Sequence, residues 1–309
     1  MTFETLALGT KRIAMLLCLA AAPAVQAAYD YSTVQYQGAP TRFFGVNNKG
    51  DAVGSADTPN APSSIVYDLQ RKSFTLIAPP PGQVIVATGI NESGSIVGSS
   101  FSPSTPDDTQ GFVLRNGSFQ LLAMPGFSVT QARAVSNNGI VTGLATGDGM
   151  PVVGFIFDLS SATFTQVPIA NAIQVIAQGV NNRGDVVGSV IFDVGGAYPG
   201  SAPGAYGFVL RRGASLMLFR VNGLPTRARG ITDSGLITGF VGRTSIASAF
   251  VAALPSAAPF QNVVIAAVDL IQVPGAANTL AQGIDNKGRV VGISTSTAGV
   301  ESGFVAVPR

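Results

Sequence analysis

The clearest pattern along the chain is a short polar turn that interrupts runs of β-branched and small residues and returns six times. It reads Val46-Asn47-Asn48-Lys49-Gly50, Ile90-Asn91-Glu92-Ser93-Gly94, Val135-Ser136-Asn137-Asn138-Gly139, Val180-Asn181-Asn182-Arg183-Gly184, Ile231-Thr232-Asp233-Ser234-Gly235 and Ile284-Asp285-Asn286-Lys287-Gly288. After its apolar residue each copy continues with Asn, Ser, Thr or Asp, whose side-chain oxygen bonds the turn's own backbone, and it closes with Gly, which takes positive φ without strain. The flanking segments are therefore predicted to be strands of a hairpin whose turn carries a bulge glycine. The closing glycines step by 44, 45, 45, 51 and 53 residues.

Four residues beyond each closing glycine stands another: Gly54, Gly98, Gly143, Gly188, Gly239 and Gly292. A glycine inside a strand pattern marks close approach of another backbone. Upstream of the turn, inner positions are small (Ala87 and Gly89, Ala177 and Gly179, Ala228 and Gly230, Ala281 and Gly283), as required where sheets converge on an axis. After a loop of variable length, a third strand opens with Gly or Ala and then Phe in five repeats: Phe112, Phe155, Phe208, Phe250 and Phe304. The first repeat departs with Ile65-Val66-Tyr67. A fourth strand follows, as at Phe119 to Leu122 or Phe164 to Val167.

Four short strands in each unit of about 45 residues are the signature of a propeller blade. The predicted fold is all-β: a six-bladed β-propeller of four short antiparallel strands per blade, over residues 28–309. The sixth repeat ends at Val307 without a fourth strand, while Ser32 to Tyr36 precedes the first repeat. The N-terminal strand is thus expected to complete the last blade and hide an edge. An open solenoid is the alternative. The two wider steps are assigned to loop insertions at Ile191 to Tyr206 and Pro255 to Phe260.

The phrase Gly-Val-Asn-Asn-x-Gly-x-Val-Val-Gly, followed by a small residue and Phe, resembles the HAF-type extracellular repeat family over essentially all of residues 28–309. The histidine of that family's His-Ala-Phe triplet is replaced here in every copy, as in Gln110-Gly111-Phe112 and Tyr206-Gly207-Phe208. The resemblance implies an exported repeat protein and brings no catalytic residue with it.

Composition narrows the function. Residues 1–27 read as a signal peptide: Lys11 and Arg12, an apolar stretch from Ile13 to about Ala22, then Val25-Gln26-Ala27 before cleavage. The predicted location is secreted or periplasmic. Mean hydropathy is +0.38, but beyond the leader no uninterrupted apolar run reaches the ~18 residues of a span, so no transmembrane segment is expected. The one Cys, Cys18, leaves with the leader, and the chain has no His and no Trp. Cys–His and Ser–His nucleophile pairs are thereby excluded, as is a Cys/His zinc site. Eighteen Lys and Arg against 16 Asp and Glu, with no basic stripe, argue against nucleic acid.

The turn end is nearly invariant among repeats and the opposite end varies, so any function is placed on the variable-loop face. The expected role is an exported non-enzymatic binding module for a polysaccharide, envelope component or protein partner. Tyr198 and Tyr206 are candidates to stack on a sugar. Arg133, Arg229, Gln178 and Gln282 recur two residues before the turn's apolar residue and are candidates to line the axis with donors for an anion or a sugar, or else to pack between blades. No cofactor is expected. Ca²⁺ enters only through Asp107, Asp108, Asp148 and Asp193, which also carry the alternative of a propeller hydrolase or lyase. A structural surface repeat protein is the third reading.

Overall fold

The computed structural model describes residues 29–59, 62–193, 204–213, 216–243, 246–255, 263–266 and 268–309. The predicted leader and Tyr198 lie outside them. The repeating segments pair into six sheets, in each of which the first three strands follow the chain antiparallel from the innermost outward. The innermost strands are Thr41–Val46, Val84–Ile90, Val129–Val135, Gln174–Val180, Thr226–Ile231 and Ala276–Ile284, defining blades 1 to 6. Each touches the innermost strands of both flanking blades, and that of blade 6 touches that of blade 1. The chain is a closed six-bladed β-propeller.

The turns form as the residue types require. Oδ1 of Asn47 accepts from the amides of Gly50 and Asp51 at 3.0 and 2.9 Å, and Oδ1 of Asn181 accepts from Arg183 and Asp185 at 3.0 and 2.9 Å. Gly50 sits at φ +97° and Gly184 at +83°, a region that L side chains avoid. The second glycine answers two neighbours. At Gly188 a Cβ would fall on the carbonyl oxygen of Ile176 and lie 2.6 Å from the ring of Phe208, which is its cross-strand partner. The same pairing sets Gly98 against Phe112, Gly143 against Phe155 and Gly292 against Phe304.

Those phenylalanines are fully buried. The core divides into six apolar clusters, four of which hold one of these phenylalanines, and each cluster gathers side chains from two successive blades. Packing between blades therefore supplies the core that disulfides do not. Blade 1 reaches the same filling by another route. Ile65 occupies the phenylalanine position opposite Gly54, while Phe43 replaces the alanine of the other inner strands and stacks on Tyr67 at 5.6 Å.

The strand Tyr29–Val34 pairs antiparallel with Glu301–Pro308 as the outermost strand of blade 6, so the first and last segments share one sheet. Arg42 of blade 1 reinforces the junction. It donates to Glu301 of blade 6 and, through both terminal nitrogens, to Asp57 at 2.8 and 3.0 Å.

Residues 194–203 and 256–260 of the two assigned insertions lie outside the described residues, but beyond the second the chain adds a strand. After the third strand of blade 5, Ile246–Ala253, the chain crosses to blade 4, where Val263–Ile265 adds a fifth strand parallel to Leu216–Val221. It then returns as Asp269–Ile271, the outermost strand of blade 5. Leu216-Met217-Leu218-Phe219 is buried throughout, whereas outer strands such as Ser73–Leu76 are largely exposed. The added strand pairs with the outer edge of this buried strand.

Candidate functional site

Each innermost strand slips its register by one residue, and the extra residue is Phe44, Thr88, Arg133, Gln178, Arg229 or Gln282 in blades 1 to 6. A β-bulge of this kind re-aims its side chain. All six converge on one cavity of about 80 Å³ on the propeller axis. The positions were legible as a repeat; the bulge that turns them inward was not, although the Gly or Ala one place after each of them is its trace.

Val46, Ile90, Val135, Val180, Ile231 and Ile284 form an apolar collar on the turn side of this layer. Beyond the collar, the second residues of the turns close a ring. The amide of Asn48 donates to Glu92 Oε1, Glu92 to Asn137 Oδ1, Asn137 to Asn182 Oδ1, Asn182 to Asp233 Oδ1, Asp233 to Asn286 Oδ1, and Asn286 to Asn48 Oδ1, all at 2.7–2.9 Å. Each blade thus hands one hydrogen bond to the next until the circle ends where it began. Six turn amides and six side-chain oxygens at this mouth are satisfied by one another.

The cationic layer is different. Arg133 donates from Nη2 to Gln131 Oε1 at 2.7 Å, and the guanidinium of Arg229 lies 5.2 Å from the centre of the Phe240 ring. The Nε atoms of both arginines are buried and meet no hydrogen-bond acceptor among the described residues. Burial lowers the pKa of Arg133. For Arg229, burial first and then the fields of Arg133 and Arg227 push it down to about 9. A guanidinium keeps its charge at neutral pH. Thr88, by contrast, is engaged: its hydroxyl donates to Ala132 O at 2.9 Å.

Size decides what this cavity admits. Ligand pockets for drug-sized molecules run from roughly 300 Å³ upward, and a liquid water occupies about 30 Å³. A space of about 80 Å³ holds a small ion or two to three waters. It lies well below that range, so of the ligands expected for Arg133, Gln178, Arg229 and Gln282 a small anion is the better fit.

The loop face presents other chemistry. Met150, Ile173, Leu224 and Val300, all in loops or links at that end, are 44–49% exposed. Tyr206 is not available there: it is 3% exposed, packed edge-on to Phe192 with the Arg220 guanidinium 4.1 Å from its ring centre. Strand alternation in Gly204–Leu210 turns it into the inter-blade core. Asp107 and Asp108 lie exposed on a strand, Thr105–Arg115, that projects beyond the blade, and Asp148 is exposed in the next blade's turn. Among the described residues no three acidic, His or Cys side chains gather to hold a metal.

No protein-family model and no curated protein sequence matches the chain. Solved structures of similar fold include a virginiamycin B lyase from Staphylococcus aureus, 12% identical with a TM-score of 0.50 over 91% of this chain and 100% of that one. AofleA from Arthrobotrys oligospora is 10% identical, with a TM-score of 0.50 over 90% and 86%. The PQQ-bound aldose sugar dehydrogenase of Streptomyces coelicolor is 10% identical, with a TM-score of 0.50 over 92% and 100%. At such identities the likeness establishes the propeller fold and nothing of the chemistry.

Proposed function

We propose that this chain is an exported, non-enzymatic binding module of the HAF-type repeat kind, holding a polysaccharide, envelope component or protein partner on its loop face outside the cytoplasm. The observation that carries this reading is the contrast between the two ends of the ring. At the turn end, six backbone amides and six side-chain oxygens satisfy one another. At the loop end, segments of differing length expose Met150, Ile173, Leu224 and Val300. Rigidity at one end with variation at the other is how scaffolded loops carry recognition, and apolar side chains left on such a face are what a partner covers.

The test is binding of the mature chain to arrayed glycans and cell-envelope polysaccharides, with and without Ca²⁺, beside the doubly substituted Met150→Asp, Ile173→Asp protein. Saturable binding lost in the variant supports the loop face. Binding unaffected by the variant, or no binding to glycan, polysaccharide or envelope protein, sinks it.

A further inference from the structure

We propose that the axial cavity binds one small oxyanion, of phosphate, sulfate or carboxylate chemistry, between Arg133 and Arg229. The site is independent of the loop-face reading.

The first argument is charge. Arg42, Arg71, Arg183, Arg289 and Arg309 each sit against a carboxylate. Arg133 and Arg229 have no such partner among the described residues, although they are the ones turned toward the axis. Two guanidiniums in one small cavity repel each other, and each leaves an Nε hydrogen buried without an acceptor. A buried charge is tolerated when it is paired and hydrogen-bonded. An oxyanion supplies both the charge and the acceptors, and the planar guanidinium fork matches it.

The second argument is arrangement. Arg133, Gln178, Arg229 and Gln282 occupy four consecutive blades, 3 to 6, so cationic and amide donors alternate along one arc of the wall. No acidic residue lines that cavity. The third is size: about 80 Å³, well below the roughly 300 Å³ at which pockets for drug-sized molecules begin, suits a small ion. The apolar collar of Val46, Ile90 and their four counterparts stands on the turn side, so the ion enters from the loop side.

Thermal unfolding of the mature protein tests this. Potassium phosphate and potassium sulfate are compared with potassium chloride at matched ionic strength, and the expected result is a Tm higher by roughly 5 °C at a hundredfold excess over Kd. Glucose 6-phosphate separates a free ion from a phosphate carried on a larger molecule: stabilisation by it assigns the site to an attached group, and stabilisation by inorganic phosphate alone assigns it to the free ion. In Arg229→Met the increment disappears, while Tm in chloride stays level or rises because the repulsion between two guanidiniums and a buried unpaired Nε have gone. Arg133 and Arg227 are the charged groups facing Arg229, and affinity weakens as pH rises past the value near 9 at which Arg229 deprotonates. An increment no larger than that of chloride, or one that survives in both Arg133→Met and Arg229→Met, overturns the site. Should the variants fail to fold, crystals soaked in selenate decide: anomalous density on the axis beside Arg133 and Arg229 supports the site, and density only elsewhere overturns it.

Discussion

The amide of Asn286 donates a 2.7 Å hydrogen bond to Oδ1 of Asn48, residues 238 positions apart in the chain. The same bond joins every other pair of successive blades, so the junction between the last repeat and the first is chemically no different at the axis. This junction has further ties in the outermost strand Tyr29–Val34 and in the Arg42–Glu301 contact. Asn48→Ala and Asn137→Ala each delete one acceptor of the ring and leave one turn amide without it. Each is expected to cost about 1 kcal/mol, lowering Tm by roughly 2 °C for a domain of this size. Parity within about 0.5 kcal/mol in urea unfolding is the expected result; a much larger loss at Asn48 would show that closure hangs on that bond alone.

Asp233 makes the ring sensitive to acid. Burial works against its charge, but hydrogen bonds from the Asn182 side chain and backbone and from the Asn286 side chain outweigh it, and the carboxyl is held below its ordinary range. A carboxyl with a depressed folded pKa binds fewer protons folded than unfolded. Its contribution is therefore present above the unfolded pKa near 3.8 and lost as pH falls through the folded value. In Asp233→Asn the new amide nitrogen meets the Nδ2 donors of Asn182 and Asn286, which in the native ring lie 2.9 and 2.7 Å from Oδ2. The variant is expected to lose about 1–3 kcal/mol at pH 7. Denaturant titrations at pH 7, 4 and 3 should show the gap between wild type and variant narrowing with acid, and a gap constant with pH would refute the assignment.

The two glycine series differ in what they answer to, and substitution separates them. Gly94 closes its turn at φ +78° with open space for 4 Å around the point where a Cβ would stand, whereas a Cβ at Gly98 would fall on the Val86 carbonyl and lie 2.8 Å from the Phe112 ring. Gly94→Ala is expected to cost about 1–2 kcal/mol, the left-handed backbone term. Gly98→Ala should reach or exceed the ~3 kcal/mol top of the overpacking range. Equal losses in urea unfolding would contradict this account.

What could be read from the sequence is what repeats within one blade. The first turn residue bonds its own backbone, so its role follows from its type and position alone, and the second glycine and the phenylalanine recur in the pattern, although their pairing appears only in the register. The second turn residue acts on the neighbouring blade: Asn48 takes its bond from residue 286 and gives one to residue 92, a role invisible until the ring closes. Val263–Ile265 was hidden likewise, since the strand it covers belongs to another blade. Of the site, the axial positions of Arg133, Gln178, Arg229 and Gln282 were legible from spacing. Their lack of counter-charge was not, because it depends on where every carboxylate of the ring ends up. Tyr206 looked available beside a variable insertion; strand alternation and Arg220 put it inside.

Blade 1 offers the sharpest test of the packing argument. Five blades put Ala on the inner strand and Phe opposite the second glycine, and blade 1 puts Phe43 and Ile65 in those places, both fully buried. The bulk has moved from one strand to another within a single inter-blade cluster. Phe43→Ala alone leaves a cavity and is expected to cost about 3–5 kcal/mol. Ile65→Phe alone overfills the cluster at about 1–3 kcal/mol. If the two positions share one volume, the double variant recovers at least about 1 kcal/mol of the summed losses, a coupling that a double-mutant cycle in urea resolves. Additive losses would instead mean that the Phe43–Tyr67 stack has made the blade 1 solution its own, and that the repeats are no longer interchangeable at this position.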